Sequence, residues 1–390
     1  MGSCYRPRLG SVGAGKLAGP ASRGDLMGRE AAEPEHRFGA SPPLTIGVEE
    51  ELLLVDAERR LVPDAERVIE SLDAAAREAV STEIFAAQIE LKTGICGAPV
   101  AAATELGDLR AAVRATGVGL LGAGIHPDDG GQAQLVSKPR YDVVKEDLAS
   151  LLSTPPSGLH VHVGMPDPET AVRVANAMRL RLPVLGALAA NSPFRDGADS
   201  GMASARAAEV RAYPRFEMPR EFRDYAEFLA VADQLVDAAG VDDYTYIWWD
   251  VRPHPKLGTV EVRGMDVQPT AAANAGFAAL IQALAAREID RPSSSDLQRE
   301  ALEESYYQAI RHGLGARLMV DGGEAAPAPE VAARALEEAR PYAEDLDGLG
   351  ALEEIERILA DGNGADHQRR AFESGGIPAV LEYLARATAA

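Results

Sequence analysis

Cysteine is nearly absent from this 390-residue chain, which holds only Cys4 and Cys96. Cys4 lies in a stretch without periodicity, so a disulfide framework is not expected, and CxxC zinc or redox motifs are excluded. That usage fits a reducing, cytoplasmic location. Long apolar runs are missing too: none approaches the roughly 18 residues of a membrane span. The first 30 residues lack the apolar segment of a secretory signal. Positive charge is scarce, 39 Lys and Arg against 60 Asp and Glu, and the net charge of -21 argues against non-specific binding to nucleic acid or to an anionic membrane. What remains is an ordinary globular composition, 46% hydrophobic and 25% charged, long enough for a sizeable core. The expected partners are small molecules, with no nucleic acid and no membrane; a homo-oligomer stays open.

Residues 1–42 are rich in Gly, Ser, Pro, Ala and Arg and read as a disordered tail, with Met27 an alternative start. Residues 43–390 read as a single α+β catalytic domain whose core motifs span 44–290 and whose last part, 291–390, is helical. Strands are expected over 44–55, 83–93, 118–125, 158–164, 244–252 and 257–264. Helices are expected over 64–78, 102–116, 168–190 (bent at Pro183), 219–239 and 270–290, then near 297–313, 328–345, 349–361 and 376–388.

Two familiar patterns are decoys. GSVGAGK at 10–16 has phosphate-loop spacing, but Leu17 follows where a hydroxyl must meet Mg²⁺, and no strand precedes it. GVGLLG at 117–122 follows a helix, whereas a dinucleotide fingerprint follows a strand and opens a helix.

The informative stretch is TIGVEEELLL at 45–54, where three carboxylates interrupt an apolar strand. Side chains alternate across a strand, so Glu49 and Glu51 share one face and Glu50 takes the other, with a structural role. The same rule puts Gln88, Glu90 and Lys92 on one face of QIELK, His160 and His162 on one face of GLHVHVG, and Glu261 and Arg263 on one face of TVEVRGM. A half-solvated strand would show such alternation with mixed Thr, Ser, Lys and Glu. Here the polar faces hold Glu, His and Arg in four strands far apart in sequence. In one sheet they line one surface, where clustered carboxylates need a counter-charge. Mg²⁺ or Mn²⁺ suits them, with an imidazole tolerated, whereas zinc favours Cys or more His. Divalent ions in a carboxylate groove with Arg nearby is how enzymes hold ATP. Arg252 and Arg263 are candidate clamps for phosphate or carboxylate. Trp248 and Trp249 divide between stacking on a substrate and the core. His126, Arg140 and Tyr141 are softer candidates for the site, and His254, between two prolines, reads as a solvent-side residue.

Taken in order, GVEEELLLVD at 47–56, QIELKTGIC at 88–96, His126–Pro127, PRY at 139–141, SGLHVHVG at 157–164, LPVLGALAANSPF at 182–194 and IWWDVRPHPKLGTVEVRGMD at 247–266 resemble the glutamate–cysteine ligase type 2 family of carboxylate–amine ligases. The resemblance implies a glutamine-synthetase-like catalytic fold, a curved antiparallel sheet with helices on one side and a helical C-terminal part. It implies that ATP phosphorylates a carboxylate, classically the γ-carboxylate of glutamate, and that an amine, classically that of cysteine, displaces the phosphate. By the same resemblance Glu49, Glu51, Glu90, His160 and Glu261 are metal ligands for Mg²⁺ or Mn²⁺, and Arg263 steadies the transferring phosphoryl group with Arg252 beside it. Lys92, His162 and Arg140 are then candidates for contact with ATP. One departure is RDGADSGMASARAAEVR at 195–211, where Ala205 replaces the family's aromatic and Arg206 keeps its basic position. It falls where amino-acid substrates are held, so the ATP half is more firmly read than the substrates.

Three other readings compete. A metal-dependent amide hydrolase built on His160 and His162 would act without ATP. A kinase of the same fold would release ADP without an amine. A nucleotide-binding protein with a degenerate site would bind ATP and turn nothing over. On the ligase reading, Glu51→Gln or Glu261→Gln is expected to abolish metal-dependent turnover with the fold intact.

Overall fold

Alternation of buried and polar residues along a few strands organises the whole molecule, seen here in a computed structural model that describes residues 36–128 and 134–390. Strand β1 (Ile46–Val55) is followed by helices α1 (Ala65–Ser71) and α2 (Ala74–Ala79), strands β2 (Val80–Thr82) and β3 (Gln88–Lys92), helix α3 (Pro99–Ala115) and strand β4 (Gly119–Leu121). Helix α4 (Pro139–Leu148), strand β5 (Gly158–Gly164) and the long helix α5 (Pro168–Ala189) come next. A small ribbon of β6 (Phe194–Arg195) and β7 (Ala198–Asp199) leads into the short helix α6 (Ala205–Val210) and then α7 (Tyr225–Ala239). Strands β8 (Val251–His254) and β9 (Thr259–Asp266) finish the sheet. After them come α8 (Ala271–Asp290), α9 (Arg299–His312), the hairpin β10 (Arg317–Val320) and β11 (Glu324–Pro327), and helices α10 (Ala328–Asp345), α11 (Leu349–Asp361) and α12 (Gly364–Ala389).

The main sheet has seven strands in the order β2-β3-β1-β5-β9-β8, with β4 paired to the far end of β1. Every pairing in it is antiparallel. On one face Val48, Leu52, Leu54, Ile89, Leu91, Val161 and Val262 join the main core, against helices α3, α5 and α8. On the other face lie the ionisable residues. The apolar end of that face is covered by a helix: Leu53 and Val55 share the side of Glu49 and Glu51 but pack with Val380 and Leu384 of α12. Among the described residues no helix is long and apolar enough to cross a membrane.

Several expectations needed adjustment. The strand expected over 83–93 is only β3, because the chain turns at Phe85–Gln88 and the segment before it forms β2. The helix expected over 64–78 breaks at Leu72, which is extended, and Asp73 then caps α2 by accepting from the Ala76 N–H. The strand expected from 244 starts at Val251, since Asp243 caps a 3₁₀ turn over Tyr244–Tyr246. The helix expected from 219 starts at Tyr225, capped by Asp224. The helix near 376–388 is the second limb of α12, kinked at Gly375 and Gly376 ahead of Pro378. Helices α4 and α6 and the β10–β11 hairpin had no counterpart in the expected elements. The GSVGAGK segment, Cys4 and most of the expected tail lie outside the described residues. Cys96 is a buried free thiol.

Candidate active site

Strand register places the ionisable residues side by side. Glu51 stands opposite Glu90, Glu49 opposite His160, and Glu261 opposite both His162 and Arg252. Glu50 points the other way, as its parity requires. It is fully buried, and its carboxylate accepts from Arg110 Nε and Nη2 at 2.7 Å each and from Asn274 Nδ2 at 2.5 Å. The three glutamates of GVEEEL thus divide between a closed ion pair on the core side and an open pair on the site side.

On the open side two groups of ligand atoms form. Glu49, His160 and Glu261 bring one atom each to within 4.8 Å of one another, and so do Glu51, Glu90 and His160. His160 is common to both. Its Nδ1 is 3.2 Å from Glu49 and its Nε2 is 3.8 Å from Glu51. Glu51 also accepts from the Gly158 N–H at 2.6 Å. His162 Nε2 lies 3.7 Å from Glu49 and 4.0 Å from Glu261, and it is buried without a hydrogen-bond partner.

The electrostatics of the cluster follow from burial and neighbours. Burial raises the Glu49 carboxyl, but His162 and His160 more than offset it and hold it well below the ordinary range. Glu261 is likewise buried, yet Arg252 and Arg263 keep it well below; Arg252 Nε donates to it at 2.7 Å and Arg263 Nη1 at 2.5 Å. Glu90 is pushed up by burial and by Glu49, even though it accepts from Lys92 at 2.8 Å. Glu83 is pushed well up by burial, Glu90 and Glu51. The cluster is therefore short of positive charge at its Glu90 end. A hard divalent cation fits this donor set of carboxylates with one imidazole, and Mg²⁺ or Mn²⁺ matches its chemistry better than a thiolate-seeking metal.

Glu49, Glu51, Glu83, Glu90 and His160 lie on one side of a cavity of about 380 Å³ that Arg206, Trp248, Arg252 and Arg263 also line, whereas Glu261 and His162 sit behind its lining. Arg140 reaches its mouth, exposed, donating to Thr245 and stacking 4.3 Å from the Tyr246 ring. Tyr141 lines it and donates to the Thr82 carbonyl. Lys92 is engaged with Glu90 and Ser81. His126 lies in a loop against the Arg59 carbonyl and does not line the cavity. Trp249 is core, packed at an angle against the rings of Phe222 and Phe228, whereas Trp248 lines the cavity.

Two expectations are corrected. His254 is not on the solvent side: it ends β8, is buried, and meets the His162 ring edge-on at 5.7 Å. Burial above all pushes it down to about 4. Glu261 is not a free ligand, since the buried Arg252 and the partly buried Arg263 both pair with it. Sequence reasoning also missed Glu83. In an unbroken strand over 83–93 it would share the apolar face with Ile89 and Leu91; the turn at Phe85–Gln88 brings it to the cavity instead. The FAA triplet inside that expected strand was the available signal of a break.

Comparison with known proteins supplies the family. The profile described as glutamate-cysteine ligase family 2 (GCS2) matches residues 45–382. A Rubrobacter xylanophilus protein named "Putative glutamate--cysteine ligase 2-3" is 39% identical over 91% of this chain and 100% of its own length. A Natronomonas pharaonis protein named glutamate--cysteine ligase is 33% identical over 92% of this chain and 98% of its own. Among solved structures, the glutamate--cysteine ligase of Francisella tularensis in complex with AMP superposes with a TM-score of 0.65 at 14% identity, covering 88% of each chain. At that identity the likeness speaks for the fold, an α+β sheet of the glutamine-synthetase-like kind with a helical C-terminal part.

Proposed function

The chain belongs to the glutamate–cysteine ligase family 2, ATP-dependent carboxylate–amine ligases, and on that premise we propose that it phosphorylates the γ-carboxylate of glutamate and joins it to the amine of an amino acid, classically cysteine, to give γ-glutamylcysteine, ADP and phosphate. The observation that carries this reading is the pair of ligand triads sharing His160, with Arg263 anchored at their edge by Glu261. Residues 43–390 act as one catalytic domain.

Glu49, Glu51, Glu90, His160 and Glu261 would hold Mg²⁺ or Mn²⁺. When bound, such ions neutralise the phosphate oxygens and orient the terminal phosphoryl group for in-line transfer. The chain's own groups do the rest. Arg263 is fixed by Glu261 while its Nε stays buried without a partner, a donor free for a phosphoryl oxygen. Arg252 is spent on Glu261 and on the Tyr244 and Ile247 carbonyls, so it acts as a positioning residue. Arg140, which lines the cavity, would meet the nucleotide, with Lys92 and His162 acting from behind Glu90 and Glu49.

The chemistry balances in two steps. The terminal phosphoryl group leaves the ADP oxygen and bonds to a carboxylate oxygen. The amine nitrogen then attacks the acyl carbon, the C–O bond to phosphate breaks, and the nitrogen loses a proton. Holding both partners in one cavity in reacting geometry contributes to the rate. The test is ADP release with ATP and Mg²⁺, given glutamate alone, cysteine alone, and both. Release that needs both, matched by dipeptide formation, is the expected result. Release without an amine would make the protein a kinase, and amide cleavage without ATP a hydrolase.

A further inference from the structure

The cavity has a second character that the metal groups do not explain. Val144 and Leu148 of α4, Leu152, Val210 of α6, Phe216 and Trp248 line it and pack together as one apolar cluster. Beside this wall stands Arg206. It is 3% exposed, and both Nε and Nη1 are buried without a hydrogen-bond partner. Asp266 holds it from 3.9 Å, but that carboxylate accepts from Ser192, Ser204 and the Asn191 N–H instead. The guanidinium lies over Gly158, where an added Cβ would come within 2.2 Å of Arg206 Nη2 and 3.3 Å of His160 Nε2. Arg206 is thus an oriented cation next to the Glu51, Glu90 and His160 triad, with donors unused, in a cavity that the apolar wall also lines. Arg206 and Val210 are four apart on α6 and share a face about one helical turn long. One ligand can meet both.

We propose that this half of the cavity is the acceptor site and that the amine substrate is an α-amino acid with a bulky apolar side chain, its carboxylate on Arg206 and its side chain on the wall. This rests on the ligase reading above and replaces its classical amine, cysteine, with a larger apolar one. An amino acid held in this way keeps its nitrogen one carbon from the anchored carboxylate, beside the triad where an acyl phosphate forms. A glutamate laid the same way would drive its second carboxylate into apolar surroundings. Alanine or cysteine would leave most of the wall uncovered. At roughly fourfold in affinity per buried methylene, leucine should exceed alanine by about 60-fold.

The experiment is a binding measurement on the full chain with Mg²⁺ and without turnover, by calorimetry, using L-leucine, L-phenylalanine, L-alanine and phenethylamine. Leucine and phenylalanine are expected to bind at least about tenfold more tightly than alanine, and phenethylamine, which lacks the carboxylate, at least about tenfold more weakly than phenylalanine. Leu148→Ala and Val210→Ala should narrow the gap between leucine and alanine; the wild-type ranking decides the matter should either variant fold poorly. Equal binding of leucine and alanine overturns the proposal, and so does phenethylamine matching phenylalanine. Competition by adenosine overturns it too, since the wall would then belong to the nucleotide. ADP release with glutamate and cysteine, without any preference for leucine, keeps the ligase reading and removes the apolar acceptor. Tight leucine binding with no ADP release from any substrate pair does the reverse.

Discussion

Glu49 and Glu50 are neighbours in one strand, yet their neutralisation should have opposite consequences. Glu50→Gln removes the charge that pairs with the buried Arg110, which donates twice to Glu50 and otherwise only to the Gln268 and Pro269 carbonyls. Breaking a buried pair from one side costs about 3–5 kcal/mol. Unfolding entropy of about 2.1 cal/mol/K per residue over roughly 355 residues is about 0.75 kcal/mol/K, so the melting temperature should fall by about 4–7 °C. Glu49→Gln leaves no arginine stranded, and in metal-free buffer its melting temperature should stay within about 2 °C of the parent. Saturating Mg²⁺ at about 100 times its dissociation constant should add about 2.7 kcal/mol, or about 3–4 °C, to the parent and to Glu50→Gln, and little to Glu49→Gln. Differential scanning calorimetry with EDTA or Mg²⁺ reads all of this. The double variant Glu50→Leu with Arg110→Met should recover much of the loss, because an apolar pair can replace a buried ion pair. A Glu50→Gln protein as stable as the parent would refute the structural role. A Glu49→Gln protein that keeps its Mg²⁺ increment would remove Glu49 from the metal site.

Glu51→Gln should lower Mg²⁺-dependent ADP release by about 100-fold or more, with circular dichroism unchanged. Glu261→Gln should lose turnover and also stability, because Arg252 and Arg263 are left without their shared partner; a variant that melts like the parent would contradict the pairing. His254 is neutral and buried, pushed from 6.5 down to about 4. The unfolded chain therefore takes up a proton that the folded one refuses, so its contribution is complete above pH 6.5 and is lost as pH falls towards 4, by about 3 kcal/mol in all. His162, held above its ordinary value chiefly by Glu49 against the pull of burial, works in the opposite sense. His254→Gln in metal-free buffer should flatten the fall in melting temperature below pH 6.5, and an unchanged slope would count against a buried neutral imidazole. Gly158→Ala should dislodge Arg206 and raise the KM for the amine more than for ATP, since a Cβ there collides with Nη2.

Why the sheet was legible and the cavity was not comes down to which constraint each obeys. Glu49, Glu51, Glu90, His160, Glu261 and Arg263 sit in strands whose period of two fixes their face from sequence alone, and antiparallel register then brings those faces into line. Glu50 was assignable to the core side by the same parity, although its partner Arg110, sixty residues away on α3, was not. His254 was misplaced because prolines on both sides suggested an exposed turn, whereas Pro253 pairs within β8 and the turn begins after it. Glu83 was lost to a single assumption of strand continuity. The apolar wall is harder still. Val144 and Leu148 belong to a helix with too little hydrophobic contrast to announce itself, and Val210 belongs to a helix of six residues. These meet Phe216 and Trp248 only through the tertiary fold. The proposed metal ligands are thus written in local alternation, which any one strand displays. Substrate choice is written in loops and short helices that share no period, and that is where the proposed acceptor site must be decided by binding rather than by pattern.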